Sequence, residues 1–288
     1  MSLLWLTLFL VLGFVFYIVY FFFRAIKPRR FVCPIIPEHY GVACQRVSIH
    51  TCDAIELAGW FIPCQKQAPA IIICHSYPND KGDAFMISKF LAKHFNLLLF
   101  DFRAHGQSGG HYCTFGLHET VDLEAAIHWL QDHNMNTMGL FGMSMGATVC
   151  MMKEYPSIKA MVLDSGYISL ESIILNMFNR LGILRMLLIR LLNTLGKIFL
   201  KNNVLTINTV ASMNRTSIPV FIIHGLKDQR TPVEQARQLK EAYPMAELWL
   251  VPDAEHLQAY ETCSDEYADR VTSFFLKNLS APLTQQNT

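Results

Sequence analysis

Apolar and polar positions follow two alternating rhythms along this chain, preceded by one long apolar block. Residues 3–23 carry no charged side chain and are dominated by Leu, Phe, Val and Tyr, which is long enough to cross a hydrocarbon core of roughly 30 Å. Beyond the block, short and almost wholly apolar runs occur at 70–74, 97–102, 138–141, 160–163, 220–223 and 248–251. Runs of that length and character predict strands buried on both faces. Segments of helical period lie at 82–94, 117–133, 145–155, 231–242 and 264–278, interleaved with the runs. The alternation predicts an α/β fold, a mostly parallel sheet with helices on both faces. Ahead of it, 45–50 and 55–63 predict two antiparallel strands joined by a turn at Cys52-Asp53-Ala54.

One stretch breaks the alternation. Residues 169–205 run helical and very apolar, and so predict a helical cap inserted between two strands. Within it Leu188, Leu192, Leu195 and Phe199 share one helical face, with Arg190, Asn193, Thr194, Lys197 and Lys201 on the opposite one. Thr231-Pro232, followed by Glu234, predicts a helix start with threonine as cap and proline at the first helical position. The chain therefore divides into an N-terminal transmembrane anchor (1–24), a linker stiffened by Pro28, Pro34 and Pro37 (25–41), one domain (42–280) and a polar, frayed tail (281–288).

Charge sharpens this layout. Arg24, Lys27, Arg29 and Arg30 follow the apolar block and no Lys or Arg precedes it, so the positive-inside bias places the domain on the cytoplasmic side of a single-pass membrane protein. A cleaved signal peptide would want a basic start, a shorter apolar stretch and a small-residue cleavage site; none is evident. Charged residues make up 16% of the chain and the formal net charge is +1, which argues against a nucleic-acid partner. The eight cysteines show no Cys-x-x-Cys pair and the histidines no metal spacing, so no metal or other cofactor is expected. The cysteines read as free thiols, which suits a reducing compartment.

Candidate chemistry centres on Gly142-Met143-Ser144-Met145-Gly146. The pentapeptide alone is a weak signal, but a predicted strand runs straight into it and a helix follows, the strand-turn-helix setting that exposes a nucleophilic serine. A serine needs a base, and the base a carboxylate to hold its tautomer. Asp228 follows the run at 220–223 and His256 follows the last run, both at strand ends. Asp164 is the alternative acid, and His105 and His111 the rival bases. The reaction also needs donors for an oxyanion, the backbone N–H of Met145 and one from the loop His75-Ser76-Tyr77-Pro78-Asn79, for which Tyr77 is the candidate. The bland alternative is that this loop simply turns at Pro78.

From about residue 42 to 278 the chain resembles the α/β-hydrolase superfamily, in its prolyl-oligopeptidase-like and serine-aminopeptidase-like branch, which includes many membrane-anchored esterases and acyl-thioesterases. The resemblance rests on His75-Ser76-Tyr77-Pro78, the turn from Asp101 to Gly109, the elbow at Ser144, Ile222-Ile223-His224-Gly225 with Asp228, and Glu255-His256. It implies an α/β-hydrolase fold with a Ser144, Asp228, His256 triad in the family's chain order, and Tyr77 and Met145 as oxyanion donors. Two positions depart from the pattern: Ser76 replaces a usual glycine, and Ala104 replaces the first glycine of Arg-Gly-His-Gly.

Such a site predicts acyl transfer to water through an acyl-serine. An anchor, a cytoplasmic domain and an apolar cap favour an ester or thioester of acyl or lipid-like character. The cap helix could line an acyl pocket, rest on the membrane by its apolar face, or be a plain core helix. A peptidase of the same fold and a catalytically silent binding protein are the alternatives.

Overall fold

Eight strands form a single sheet in the computed structural model, which describes residues 3–65 and 68–279. They are β1 (Gln45–His50), β2 (Glu56–Ile62), β3 (Ala70–Cys74), β4 (Asn96–Phe100), β5 (Met138–Met143), β6 (Ile158–Asp164), β7 (Val220–Gly225) and β8 (Glu247–Val251). Their spatial order is β1-β2-β4-β3-β5-β6-β7-β8. β2 is antiparallel to both β1 and β4, and the remaining pairs are parallel.

Every residue of β3, β4, β5 and β7 is buried, which explains their uniformly apolar sequence. Successive side chains still alternate between the two faces. Ile72, Leu140 and Leu163 enter one core, while Ile71, Phe141 and Val162 enter the other. On the first face α3 (Glu119–Asp132), α4 (Met145–Met152) and α8 (Val233–Ala242) contribute Leu123, Val149 and Leu239. On the second, α2 (Lys81–Ser88) and α9 (Ser264–Leu279) contribute Phe85, Val271 and Phe275.

The parallel registers set Cys74 beside Gly142, Met143 beside Asp164, Asp164 beside Ile223, and Gly225 beside Val251. The C-terminal ends of five strands thus share one edge; Tyr77, Ser144, Met145, Asp228 and His256 follow these ends along the chain, and Asp164 is the last residue of β6.

Several expected elements are shorter or differently made. The helix expected over 82–94 stops at Ser88, whose hydroxyl donates back to the Ala84 carbonyl at 2.8 Å and competes with the helical ladder, and a 3-10 turn (Lys89–Lys93) completes it. The one expected over 145–155 stops at Met152, because Lys153 is extended. The cap is α5 (Leu170–Met177), α6 (Leu184–Leu195) and α7 (Thr209–Met213), so its helical structure reaches past 205. The apolar face expected from Leu188 to Phe199 does not hold to its end. A π turn (Gly196–Leu200) adds a residue to the helical repeat, so Leu200 is buried and Phe199 faces outward. Nor does Thr231 cap α8: the helix starts at Val233 with no side-chain cap. The tail expected at 281–288 lies outside the described residues.

The apolar block is one helix, α1 (Leu3–Ile26), and it is the only described helix long and apolar enough to cross a membrane. Its first part exposes Trp5, Phe9 and Phe16, whereas Ile18, Phe22 and Ile26, four residues apart and so on one face, are buried in the first core. The chain after it is strapped to the domain. Arg30 donates to the carbonyls of Ser108 and Gly110, the Cys113 N–H donates to Ile26 O at 2.8 Å, and the Cys33 N–H donates to Asp80 at 2.8 Å.

Candidate active site

Ser144 sits on the turn between β5 and α4 with φ 50° and ψ −109°, a conformation an L-residue holds only when its surroundings impose it. Two close approaches impose it here. A Cβ on Gly142 would lie 2.5 Å from the Ala147 backbone, and one on Gly146 would lie 2.1 Å from the carbonyl oxygen of Cys74. Only glycine lets α4 leave the sheet so sharply. The Ser144 N–H donates to Asp164 O at 2.8 Å, which pins the turn to β6.

The structure brings Ser144, His256 and Asp228 together. His256 Nε2 is 2.9 Å from Ser144 Oγ, and His256 Nδ1 is 2.7 Å from Asp228 Oδ2. An ionised carboxylate only accepts, so the proton sits on Nδ1 and the Nε2 lone pair faces the serine. The loops carrying the acid and the base are locked together, with the Leu226 N–H on Val251 O at 2.9 Å and the Lys227 N–H on Ala254 O at 3.0 Å. Gly225 permits this, since a Cβ there would meet Ala254 O at 2.3 Å.

Asp228 is held on both oxygens. Arg230 N–H and Thr231 N–H donate to Oδ1, each at 2.8 Å, and the Thr231 hydroxyl donates to Oδ2 at 2.6 Å. Burial pushes the carboxyl up, but the hydrogen bond and charge of His256, with the donors of Thr231, more than offset it and hold Asp228 below its ordinary value. Thr231 is therefore a residue of the site. Its neighbours Pro232 and Glu234 give it the appearance of a helix cap, and no sequence signal separates the two roles.

The alternative acid, Asp164, and the rival base His105 have other partners. Asp164 accepts from the Tyr267 hydroxyl at 2.6 Å and the Ser165 hydroxyl at 2.8 Å, and burial raises its pKa. Ser165 Oγ also accepts the Leu257 N–H at 3.3 Å, so Asp164 steadies the backbone beside His256 without touching the ring. His105 is buried with Nδ1 2.8 Å from Arg103 O, and burial lowers its pKa. His111 is exposed.

The loop after β3 is tied down by His75, whose Nε2 accepts the Phe102 N–H at 2.9 Å and whose Nδ1–H donates to Ser76 O at 2.8 Å. Burial lowers its pKa to about 3 and keeps it neutral. The turn from Asp101 to Gly109 supports this loop from behind: Asp101 accepts from Lys81 Nζ at 2.6 Å and from the Gln107 N–H at 2.8 Å. Tyr77 and Met145 line the same cavity of about 1050 Å³ as Ser144, Asp228 and His256. Among the described residues, neither of their backbone N–H groups is taken by a protein acceptor. Among the described residues no cluster of His, Cys, Asp and Glu could hold a metal.

Comparison with known proteins bears on the fold that carries this site. Residues 69–182 match the family described as alpha/beta hydrolase fold. The crystal structure of the Pyrococcus furiosus esterase Pf2001 superposes with a TM-score of 0.74 at 30% identity, covering 89% of this chain and 99% of that one. The uncharacterized protein YfhR of Escherichia coli (strain K12) is 28% identical over 247 residues, 79% of each chain. An acylaminoacyl peptidase of Pyrococcus horikoshii shares the fold at 16% identity and a TM-score of 0.62, over 83% of this chain and 42% of that one.

Proposed function

The chain belongs to the α/β-hydrolase family, and from that premise we propose that it is a serine hydrolase acting on an ester or thioester of acyl character. The observation that carries the reading is the pair of contacts made by His256, 2.9 Å to Ser144 Oγ and 2.7 Å to Asp228 Oδ2. Ser144 Oγ attacks the acyl carbonyl as its proton passes to His256 Nε2, and Asp228 stabilises the imidazolium. Charge collects on the carbonyl oxygen, where the N–H groups of Met145 and Tyr77 receive it. The tetrahedral intermediate expels an alkoxide or thiolate, which takes the proton back from His256 and leaves acyl-Ser144. Water, deprotonated by the same imidazole, then releases the acid.

An acyl substrate fits the walls of the cavity, which include Phe22, Ile26, Ile173, Ile174 and Leu192. We take α1 as a retained membrane anchor: cleavage would remove Phe22 and Ile26, which are 5% and 2% exposed, from the core. The cations from Arg24 to Arg30 favour a cytoplasmic domain.

The test is turnover of p-nitrophenyl esters of rising chain length by wild type and Ser144→Ala. The reading expects hydrolysis by wild type and a loss on the order of 10⁴-fold or more in the variant. Undiminished hydrolysis by Ser144→Ala would sink it.

A further inference from the structure

A helix that served only as a tether would have no reason to form part of the catalytic cavity, yet α1 does. Phe21, Phe22, Arg24, Ala25 and Ile26 line it. The Tyr77 hydroxyl donates to the Ala25 carbonyl at 3.0 Å, so the wall made by α1 abuts the loop beside Ser144. Aromatic contacts join it to the cap: Phe21 meets Phe178 edge-on at 5.2 Å, and Phe23 meets Phe199 at 4.9 Å.

Length then decides where that wall sits. At 1.5 Å per residue, the 24 residues of α1 extend roughly 36 Å. The stretch apolar enough to span runs from Trp5 to Ile26, and Phe14, which packs against the core, and Ile18, Phe22 and Ile26, which are buried in it, all fall within that stretch. A spanning α1 therefore carries its docked segment, and the cap packed on it, into the membrane face. The cap is surfaced for that position: Ile183 is 86% exposed and Ile198 62%, with Leu184, Leu187 and Phe199 also outward. An apolar surface of this kind belongs in lipid.

Charge names the headgroup. Besides Asp228, which is committed to His256, the charged residues lining the cavity are Arg24, Arg180 and Arg230. All three are exposed, and among the described residues none has a carboxylate partner. Arginines at the mouth of an apolar cavity match a phosphate.

We infer that the substrate is a membrane lipid with an anionic phosphate headgroup, drawn from the bilayer along α1, its acyl chain against Phe22, Ile26, Ile174 and Leu192 and its phosphate on Arg24 and Arg180. α1 is then part of the substrate pocket as well as the anchor. This rests on the reading of Ser144 as nucleophile, and the test keeps the two apart.

The full chain is reconstituted in phosphatidylcholine vesicles holding traces of two fluorogenic lipids with the same acyl chain, one with a phosphoglycerol and one with a phosphocholine headgroup. Acyl-coenzyme A below its micelle concentration is the soluble comparison. The expected result is a kcat/KM at least fivefold higher for the anionic lipid, falling below twofold in an R24Q/R180Q variant, since each cation near a membrane surface contributes about fivefold. Arg230 is left intact because its backbone holds Asp228. Equal rates on the two lipids, a preference that survives R24Q/R180Q, or faster turnover of acyl-coenzyme A overturns the inference. Labelling of Ser144 by a fluorophosphonate in the same vesicles separates the failures: labelled enzyme without headgroup preference removes only this inference, whereas unlabelled wild type removes the hydrolase reading too.

Discussion

Thr231 donates to both oxygens of Asp228, its hydroxyl to Oδ2 at 2.6 Å and its backbone N–H to Oδ1 at 2.8 Å. The hydroxyl therefore shares Oδ2 with His256 Nδ1 and helps keep the carboxylate ionised where it must face an imidazolium. Thr231→Val should lower kcat by about tenfold, the scale of removing one hydrogen bond of about 1.5 kcal/mol to a charged group. Thr231→Ser should stay near wild type.

The same bond carries a pH signature. Asp228 lies below its ordinary value in the folded protein, so its contribution to stability is complete above the ordinary carboxylate range and is lost as pH falls through the folded value. Removing the Thr231 hydroxyl raises the folded value. Urea unfolding should show Thr231→Val losing stability at pH 7, with the deficit shrinking as pH drops below about 4.

Asp228→Asn and Asp164→Asn should part company. The first leaves His256 in the wrong tautomer and should reduce turnover on the order of 10⁴-fold. The second disturbs a buried carboxylate that Tyr267 and Ser165 hold, so it should cost about 1–3 kcal/mol of stability and less than about tenfold in kcat. Comparing kcat with urea midpoints decides it; a collapse of kcat confined to Asp164→Asn would reassign the acid.

Much of this was legible in the sequence, for a definite reason. β3, β5 and β7 are buried on both faces, so their sequence is apolar without interruption and stands out against the helices. The positions after such strands are then few, and Ser144 and Asp228 occupy two of them, while His256 follows β8, a strand that is only partly buried. Other features had no such contrast. Ile18, Phe22 and Ile26 dock on the domain, but their neighbours in α1 are equally apolar, so nothing in the pattern marks the docked face. Thr231 carries the surroundings of a helix cap and does different work. The π turn at Gly196–Leu200 shifts a periodicity that reads as unbroken.

At the elbow, Gly146→Ala should destabilise the protein by about 3 kcal/mol or more, because the added methyl would stand 2.1 Å from a backbone carbonyl that cannot yield. Gly13→Ala in α1, where a Cβ meets nothing within 4 Å, should leave esterase activity unchanged. Activity and thermal unfolding of the two variants in parallel check the pair.

Ala104 occupies a position where the resembling family uses glycine, and it sits at φ 62°. A left-handed alanine costs roughly 1–2 kcal/mol, more than the extra freedom glycine adds to the unfolded chain. Ala104→Gly should therefore raise stability by about 0.5–1 kcal/mol, measured as a shift in the urea midpoint. A lower midpoint would mean that the methyl, 3% exposed, packs better than its backbone angle costs.

The central claim is that His256 and Asp228 activate Ser144. Treating the full chain with a fluorophosphonate and locating the adduct by peptide mass spectrometry tests it most directly. The adduct should fall on Ser144, disappear in Ser144→Ala and slow by orders of magnitude in His256→Ala. An unlabelled wild type, or an adduct on any other residue, would contradict it.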